Sequence, residues 1–570
     1  MKPIQITYDI CRCYLRDQKG TIASSLYNRI LGKLRSRDFI ELASCSDWLP
    51  LELSWGKEEA RVLYQVEAFF KKNTSFTDPE VARLAALITF EEGERLCEET
   101  NDRLDAFDPD SSDWSLEVAR AQRYIDRVLG GFSEFLGELP KLLTVTSGAT
   151  VTKSRRNALP FLKVSKRFTC TPGAAGPLAV IADLFGYGSI SPRLVSANRV
   201  EFVPKSWKTE RTIACEAEGN MMLQLAFDRY AKSRLRSRGI NLYDQTKNRE
   251  MARESSIAGW THVHSTVDLS MASDTLSYNT VALLLPEKWF TYLRSIRSQY
   301  GSLYRHQLTN YAKFSSMGNG ATFALETLVF SAACSAVGSR SFSVYGDDIV
   351  IEEEKTERLL QFLAFLGFVP NHAKTFTTGP IRESCGTLWY DGSLITPRYI
   401  RKIDKRKAPL CHLVNTMVEI GRPGGYLWDY LAAFCSKENL PLVPYNEDSM
   451  SGVWITPYDA HQRKLIRSTR FGQLWQPMFR AFQPKTRIIR NWDSRSLFLW
   501  HLNAPREKAW TIRVRMTGST RVFEFTDAYE SSRYTSSSHK YVRKWVHWTP
   551  VVGAADYLYW WSELLSRESC

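Results

Sequence analysis

The sequence has no run of about 18 apolar residues that could span a membrane, and its first residues lack the apolar core of a signal peptide. It also lacks a disulfide framework, because its 11 cysteines are odd in number and scattered along 570 residues. Cys11 and Cys13 are close together, but no cysteine or histidine pair follows them at the spacing of a zinc site. These absences favour a cytoplasmic protein without a membrane anchor.

Acidic residues are in deficit. Lysine and arginine number 75 against 61 aspartates and glutamates, which gives a net charge of +14. This excess favours a polyanionic partner such as nucleic acid, although a solubilising surface is the alternative explanation. A hydrophobic fraction of 44% predicts a folded protein, and the length of 570 residues predicts several subdomains rather than one core.

The first 130 residues are predicted to be helical. Asp78 followed by Pro79 is typical of a helix N-terminus, with Val81, Leu84 and Ile88 as an apolar face. Residues 255 to 376 instead alternate β-rich and helical runs, which predicts a sheet backed by helices.

Two strand-like runs flank Gly346-Asp347-Asp348 and predict a β-hairpin with both aspartates at a tight turn. Paired carboxylates at a rigid turn are suitable ligands for Mg²⁺, which prefers oxygen. A solvated Gly-Asp turn is the alternative when this segment is judged alone.

A third carboxylate, Asp268, follows a β-rich run that begins at Val263. Asp268 can serve as a further metal ligand, and two metals shared among such carboxylates suit an in-line displacement at phosphorus. His262 and His264 share a face of the same run. Because no further zinc ligands accompany them, we expect packing or hydrogen bonding there.

Two more segments predict contacts to a nucleotide. The glycines of Ser315 to Thr322 allow close backbone approach, and a helix from Phe323 to about Val337, capped by Gly338, follows. A flexible turn before a helix is the alternative. Upstream, four cations have a spacing suited to a triphosphate, although a solvated charged strand explains them equally well: Arg199, Lys205, Lys208 and Arg211.

The order of these segments resembles motifs F, A, B and C of viral RNA-dependent RNA polymerases. Three stretches are similar to the replicase β subunit of the positive-strand RNA bacteriophages, the leviviruses, of which phage Qbeta is one. They are Lys-Thr-Glu-Arg-Thr-Ile-Ala at 208–214, Asp-Leu-Ser-Met-Ala-Ser-Asp at 268–274 and Ser-Met-Gly-Asn-Gly at 316–320. The resemblance covers roughly residues 195 to 395, and the flanks match only in length and general character.

The resemblance implies an α+β, right-hand polymerase fold of fingers, palm and thumb, with a ferredoxin-like or RRM-like palm sheet. Its fingers would span residues 1–254. The palm would span 255–395, including a finger-side insertion near 285–315. The thumb and C-terminal region would occupy 396–570.

The resemblance also implies roles for individual residues. Asp268, Asp347 and Asp348 would be catalytic and would hold two Mg²⁺ ions, with Mn²⁺ as a possible substitute. The motif D lysine, which would protonate the departing pyrophosphate, matches Lys374, although an ordinary surface lysine is the alternative. Arg382 to Gly392 falls where a primer-side hairpin is expected.

The implied nucleotide site has a triphosphate part and a sugar part. Its predicted members are Lys205, Lys208 and Arg211 on the triphosphate, and Asp274, Ser316, Gly318 and Asn319 near the sugar. One position departs from the wider viral pattern, because Glu326 stands where many such polymerases carry asparagine. Sugar recognition is therefore expected to depend more on Asp274 and the glycine loop.

The predicted function is RNA-templated RNA synthesis that replicates a single-stranded RNA phage genome. A reverse transcriptase is the near alternative, but that class usually has a bulky aromatic soon after the first aspartate, where this chain has Ser270 to Ala272. A non-catalytic RNA-binding protein would leave the aspartates unexplained, since acidic clusters repel phosphate without a metal.

The expected partners are the RNA template and product and the ribonucleoside triphosphates. The resemblance further implies host elongation factors Tu and Ts and a ribosomal RNA-binding protein. The expected location is the cytoplasm of the bacterial host, with no membrane partner.

Overall fold

A computed structural model describes residues 2–51, 56–146, 148–154, 169–184, 192–261, 263–303, 308–446, 448–471, 474–484, 487–489, 510–517, 520–527, 541–548 and 557–567. His262 lies outside these residues. Within them, every helix is too short or too polar to cross a membrane.

Helices dominate the first part of the described chain and recur throughout it. The α-helices of the described residues, in chain order, are α1 Pro3–Asp17, α2 Ser24–Ser36, α3 Phe39–Leu42, α4 Lys57–Phe70, α5 Pro79–Asp105, α6 Ser115–Leu129, α7 Phe132–Leu142, α8 Pro172–Leu184, α9 Glu218–Arg236, α10 Thr246–Ser255, α11 Tyr278–Leu284, α12 Glu287–Ile296, α13 Thr322–Ala336, α14 Glu353–Phe365, α15 Lys407–Val418, α16 Tyr426–Lys437, α17 Pro457–Gln462 and α18 Tyr557–Arg567. Short 3₁₀ turns occupy Cys45–Leu51, Thr74–Phe76 and Ala272–Asp274.

Strands form several small sheets. They are β1 Thr169–Cys170, β2 Arg193–Leu194, β3 Ala197–Pro204, β4 Glu210–Cys215, β5 His264–Val267, β6 Leu269–Ser270, β7 Tyr300–Ser302, β8 Leu308–Asn310, β9 Phe342–Tyr345, β10 Asp348–Glu352, β11 Val369–Pro370, β12 Ile381–Ser384, β13 Thr387–Tyr390, β14 Ser393–Leu394, β15 Leu442–Pro444, β16 Val453–Ile455, β17 Ile466–Phe471, β18 Leu474–Pro484, β19 Arg487–Ile489, β20 Trp510–Thr517, β21 Thr520–Asp527 and β22 Tyr541–His547.

The central sheet is antiparallel, with β10 between β5 and β9. After Asp268 the chain continues from β5 into β6, which pairs with β11. The three central residues of β10, Ile349 to Ile351, are apolar and buried, as expected for a middle strand. The mixture of this sheet with backing helices confirms the predicted α+β layer between residues 255 and 376.

Helix α13 runs through the main core and is buried on nearly every side. It packs against α6, α9, β9 and α14. Its sequence is mostly apolar with no charged face, which is the pattern of a helix without a solvent face. Gly338, at φ +82°, follows its end and donates to the carbonyl of Ser335, so the predicted helix and cap are confirmed.

A second core joins the two ends of the chain. Helices α1, α2 and α4 pack with α15, α16 and α18 around shared apolar side chains. Phe69 and Trp428 are both buried in it, although they lie far apart in sequence. Each core is thus built from separate stretches of chain, and the division at residues 254 and 395 stays a prediction.

Helix α5 begins as predicted, because the Asp78 side chain accepts hydrogen bonds from the first-turn backbone. Its predicted apolar face is exposed, however: Val81, Leu84 and Ile88 are 61%, 58% and 58% accessible. The helix is buried on a different side, which carries Phe90 and three small residues that permit close packing: Ala82, Ala86 and Gly93.

His264 lies on β5 and hydrogen-bonds on both sides. Its Nδ1 lies 3.3 Å from the Ser255 hydroxyl and its Nε2 lies 2.8 Å from the Ser341 hydroxyl. The predicted hydrogen-bonding role of this histidine is confirmed.

Candidate active site

The turn between β9 and β10 is formed by Gly346 and Asp347, and Asp348 begins β10. Gly346 has φ +63°, and a Cβ there would collide with the Phe323 ring. Its backbone N–H donates to the Thr327 hydroxyl at 3.0 Å. The glycine is therefore required by space as well as by backbone angle, and α13 fixes the predicted tight turn in place.

Asp268 lies beside this turn because of the strand register. Val267 is opposite Ile349 in the β5–β10 pair, so the next residues, Asp268 and Asp348, are neighbours at the same edge of the sheet. The three predicted carboxylates thus come from two adjacent strands.

Two of these carboxylates bind other groups of the protein. Asp348 Oδ1 accepts from the backbone N–H of Cys385 at 3.0 Å. Asp268 Oδ2 accepts from the Asn371 amide at 2.8 Å and lies 3.5 Å from Lys374 Nζ. These contacts direct the two side chains toward different neighbours. Accordingly, no group of three or more His, Cys, Asp or Glu side chains among the described residues is arranged to hold a metal ion.

The electrostatics of the cluster are unfavourable to three free negative charges. Desolvation raises the pKa of Asp348 to about 7. The hydrogen bond from the Cys385 N–H opposes this rise, and repulsion by Asp347 and Asp268 adds to it. Desolvation also raises the pKa of Asp347, again with repulsion by Asp268. The protein's own cations therefore compensate this cluster only in part.

Lys205, Arg211 and Lys374 are the cations whose charges act on these carboxylates. Desolvation lowers the pKa of Lys205, and repulsion by Arg211 and Lys374 lowers it further. Desolvation also opposes the charge of Lys374, but attraction to Asp268 and Glu383 outweighs it and raises the pKa of this lysine. Lys374 therefore holds its proton at neutral pH.

The other two predicted cations have different surroundings. Lys208 Nζ lies 5.4 Å from the centre of the Trp207 ring, and Trp207 packs edge-on against Phe39. Arg199 forms an ion pair with Glu201 and donates to the Thr150 carbonyl at 2.9 Å. Arg199 therefore stabilises the base of the β3–β4 hairpin, whereas Lys205 and Arg211 lie toward its tip.

The glycine loop lies against β4. Gly318 has φ +107°, and a Cβ there would collide with the Ala214 carbonyl oxygen. The Ala214 N–H donates to the Met317 carbonyl at 2.7 Å. Asn319 Oδ1 accepts from the Ala321 N–H at 2.9 Å, so this side chain also orders the entry into α13. Ser316 is buried in the same loop.

Asp274 ends the 3₁₀ turn that follows β6, and a buried lysine holds its carboxylate. Lys313 Nζ lies 2.8 Å from Asp274 Oδ1 and 3.1 Å from Glu94 Oε1. The Asp274 side chain keeps 15% of its surface accessible, whereas that of Lys313 keeps 1%.

Glu326 lies on the face of α13 that is turned toward Asp347 and Asp274. Desolvation raises its pKa well above the ordinary value, and repulsion by those two aspartates raises it further. Its Oε1 is buried without a hydrogen-bond partner among the described residues. Burial and these two neighbours therefore favour the protonated form of Glu326.

Several residues of this site escaped sequence analysis. The Asn371 amide donates to Asp268, the backbone N–H of Cys385 donates to Asp348, and Lys313 and Glu94 lie behind Asp274. The spacing of Lys313 before the glycine loop was visible, but a single lysine carries no signal of burial. Glu94 stands on a helix without any recognisable motif.

Comparison with known proteins gives consistent matches. The family model described as RNA replicase, beta-chain, matches residues 40–435. The RNA-directed RNA polymerase subunit beta of Enterobacteria phage SP is 34% identical over 414 residues, which covers 69% of this chain and 70% of the relative. The corresponding subunit of Escherichia virus Qbeta is 33% identical over 423 residues, covering 72% and 70%.

A solved structure also aligns, but loosely. The RNA-dependent RNA polymerase of BmCPV at the elongation state is 11% identical, with a TM-score of 0.37, and the alignment covers 72% of this chain and 36% of that one. This low structural similarity does not establish a shared fold.

Proposed function

This chain belongs to the RNA replicase beta-chain family and is an RNA-directed RNA polymerase of the single-stranded RNA phage type, and we propose that Asp268, Asp347 and Asp348 form its catalytic centre. The observation that carries the proposal is the strand register that places Asp268 beside the Asp347-Asp348 turn. Carboxylates on two adjacent strands at one sheet edge are suited to nucleotidyl transfer.

These three carboxylates would hold two Mg²⁺ ions, with Mn²⁺ as a substitute. The donor set fits, because all ligands are oxygens and because a bound cation would offset the desolvation and mutual repulsion that raise the pKa values of Asp347 and Asp348. When bound, the metal supplies activation of the 3′-hydroxyl and charge stabilisation for pyrophosphate. Asp268 and Asp348 would then exchange their contacts to Lys374 and Cys385 for the metal.

Lys205 and Arg211 would bind the triphosphate, with Lys208 contributing at the tip of the hairpin. Their support is the position of the first two within electrostatic reach of the carboxylates. The ammonium group of lysine and the planar guanidinium group of arginine are both effective phosphate ligands.

Lys374 would donate a proton to the departing pyrophosphate. Its raised pKa keeps the proton in place until the negative charge of the leaving group develops. Before metal binds, the ion pair with Asp268 keeps the ammonium group beside the carboxylate cluster.

Asp274 would recognise the ribose, together with the loop of Ser316, Gly318 and Asn319. Its carboxylate accepts one bond from Lys313 and has capacity for a further donor such as a sugar hydroxyl. Glu326 would donate a hydrogen bond in its protonated form, which burial favours, as an asparagine at that position would.

For the whole chain, a right-hand arrangement of fingers, palm and thumb fits the central sheet. The succession β5, α13, β9, β10, α14 and β11, with β11 paired to the β6 continuation of β5, supports a ferredoxin-like palm. The fingers, palm and thumb would occupy residues 1–254, 255–395 and 396–570.

The chain would act on an RNA template and ribonucleoside triphosphates in the cytoplasm of an infected bacterium. The beta-chain name of its relatives indicates a subunit of a complex. We expect the partners to be elongation factors Tu and Ts and a ribosomal RNA-binding protein.

Asp347→Asn tests the proposal. The protein is purified with whatever subunits accompany it, and RNA-templated incorporation of labelled ribonucleotides is measured beside RNA binding. We expect incorporation to fall at least about 1000-fold while binding persists. Asp113→Asn, at an exposed aspartate outside the site, is the matched control. Synthesis retained by Asp347→Asn would remove this centre from the reaction.

A further inference from the structure

Lys313 is a fully buried cation placed between two carboxylates. Its side chain is 1% accessible, and its Nζ lies 2.8 Å from Asp274 Oδ1 and 3.1 Å from Glu94 Oε1. The rings of Phe90 and Tyr311 lie 4.2 and 5.3 Å from the same nitrogen. The ammonium group is therefore enclosed by two acids and two aromatic faces, with almost no access to water.

We propose that Lys313, held by Glu94, is a positioning residue that fixes the Asp274 carboxylate for recognition of the ribose. The inference rests on the proposed sugar role of Asp274 and extends it to two residues behind the site. Neither Lys313 nor Glu94 needs to touch the nucleotide.

Stability alone does not explain this arrangement. A buried lysine loses its hydration, and a buried ion pair often contributes no more than apolar residues of similar volume would. Lys313 nevertheless remains charged, because Asp274 and Glu94 raise its pKa against the desolvation of the site. What the pair does provide is a fixed direction for the Asp274 carboxylate.

Glu94 restrains Lys313 at its backbone as well as at its side chain. Its Oε2 accepts from the backbone N–H of Ala312 at 2.8 Å and from that of Lys313 at 3.3 Å. Asn101, two turns further along α5, donates to the Ala312 carbonyl at 2.9 Å. The segment that carries the lysine is thus tied to α5 at several points.

The same helix also restrains the backbone of Asp274. Gly93 approaches it so closely that an added Cβ would lie 3.1 Å from the Asp274 carbonyl oxygen and 3.3 Å from its Cβ. The Cys97 thiol donates to that carbonyl at 3.4 Å. Helix α5 therefore fixes both ends of the Lys313–Asp274 contact, which is the support that a recognition group needs to hold one geometry.

The test compares incorporation of ATP and dATP as the ratio of kcat/KM values, using the RNA-templated reaction of the purified complex. Lys313→Met keeps the apolar stem and removes the charge. We expect the preference for ATP to fall about tenfold, because a misdirected Asp274 loses a charge-assisted hydrogen bond to the sugar. Lys355→Met, at a partly exposed lysine paired with Glu354, should leave the preference unchanged.

Glu94→Gln provides the test if Lys313→Met does not fold. Glutamine can keep the backbone hydrogen bond to Ala312 but loses the ionic attraction to Lys313. We expect a smaller loss of ATP preference in the same direction, with a normal melting curve. A folded Glu94→Gln protein with unchanged preference would overturn the inference.

A double variant separates positioning from a general structural effect. If Lys313 acts through Asp274, Lys313→Met should not lower the ATP preference further in an Asp274→Ala background. Additive losses would overturn the inference. If Asp274→Ala alone leaves the preference unchanged, the sugar role of Asp274 itself fails. If Asp274→Ala lowers it but Lys313→Met does not, only the present inference fails.

Discussion

The site has two groups of carboxylates, one that includes Asp268 and one around Asp274, and their charges are compensated differently. Asp268 belongs to the cluster at the β9–β10 turn, where desolvation and mutual repulsion raise the pKa values of Asp347 and Asp348. Asp274, six residues later, has a buried lysine as its partner. In the first group the missing positive charge has to arrive with ligands, whereas in the second it is built into the fold.

We therefore expect the first group to depend on bound cations and the second group to depend on packing within the protein. A cluster left short of positive charge can attract cations and release them with the product. A carboxylate paired inside the protein keeps one orientation through every cycle. The first arrangement suits chemistry, and the second suits selection of a substrate.

The largest change in nucleotide preference is expected from Asp274→Ala. We expect RNA synthesis to persist, but the preference for ATP over dATP to fall about 10- to 100-fold, since a hydrogen bond from a sugar hydroxyl to a charged group is lost. Steady-state kcat/KM values for the two nucleotides measure the effect. A large and equal loss of kcat/KM for both nucleotides, with an unchanged preference, would mean that Asp274 belongs with the first group.

A smaller effect is expected on thermal stability, which should depend on pH and on divalent cations. The pKa of Asp348 rises from 3.8 to about 7 on folding. The folded protein therefore binds this proton more tightly, and stability declines as the pH rises from about 4 to 7. A bound divalent cation removes that penalty, so Mg²⁺ should raise Tm more at pH 8 than at pH 5.5.

Differential scanning calorimetry with and without Mg²⁺ checks this pH dependence. Asp348→Asn cannot ionise, so its Mg²⁺-induced rise in Tm should vary less between the two pH values. Equal Mg²⁺-induced rises in Tm at both pH values in the unmodified protein would contradict the idea that Mg²⁺ competes with a proton at Asp348.

The smallest effect is expected from Glu326→Gln. Glu326 lies between the two groups, where burial and repulsion by Asp347 and Asp274 favour its protonated form. An amide of nearly the same shape should therefore support incorporation within about twofold of the original rate. Glu94→Gln, which removes a real charge, should change nucleotide preference more. A severe loss of incorporation in Glu326→Gln would show that this carboxyl ionises during the reaction.

The turn that carries Asp347 and Asp348 could be predicted from sequence because its signals are local. Gly346 and Asp347 stand between two strand-like runs, and the helix after the glycine loop has a clear apolar run and a terminal Gly338. Asp268 was recognisable as a carboxylate that ends a β-rich run. Strand pairing then places it beside the turn without any further information.

Contacts between distant segments could not be predicted in this way. Nothing in the sequence indicates that Glu94 meets Lys313, or that the N-terminal helices share a core with the C-terminal ones. The exposed face of α5 was misjudged because Val81, Leu84 and Ile88 have helical spacing, whereas the buried face uses small residues for close packing. Arg199 was grouped with the phosphate-binding cations, although its partners lie at the hairpin base.

The most direct measurement is RNA-templated incorporation of labelled ribonucleotides by the purified complex, first in a metal chelator and then with increasing Mg²⁺. The account predicts no incorporation in chelator and recovery as Mg²⁺ is restored, because the carboxylates at the β9–β10 turn depend on external positive charge. Incorporation that continues undiminished in chelator would contradict it.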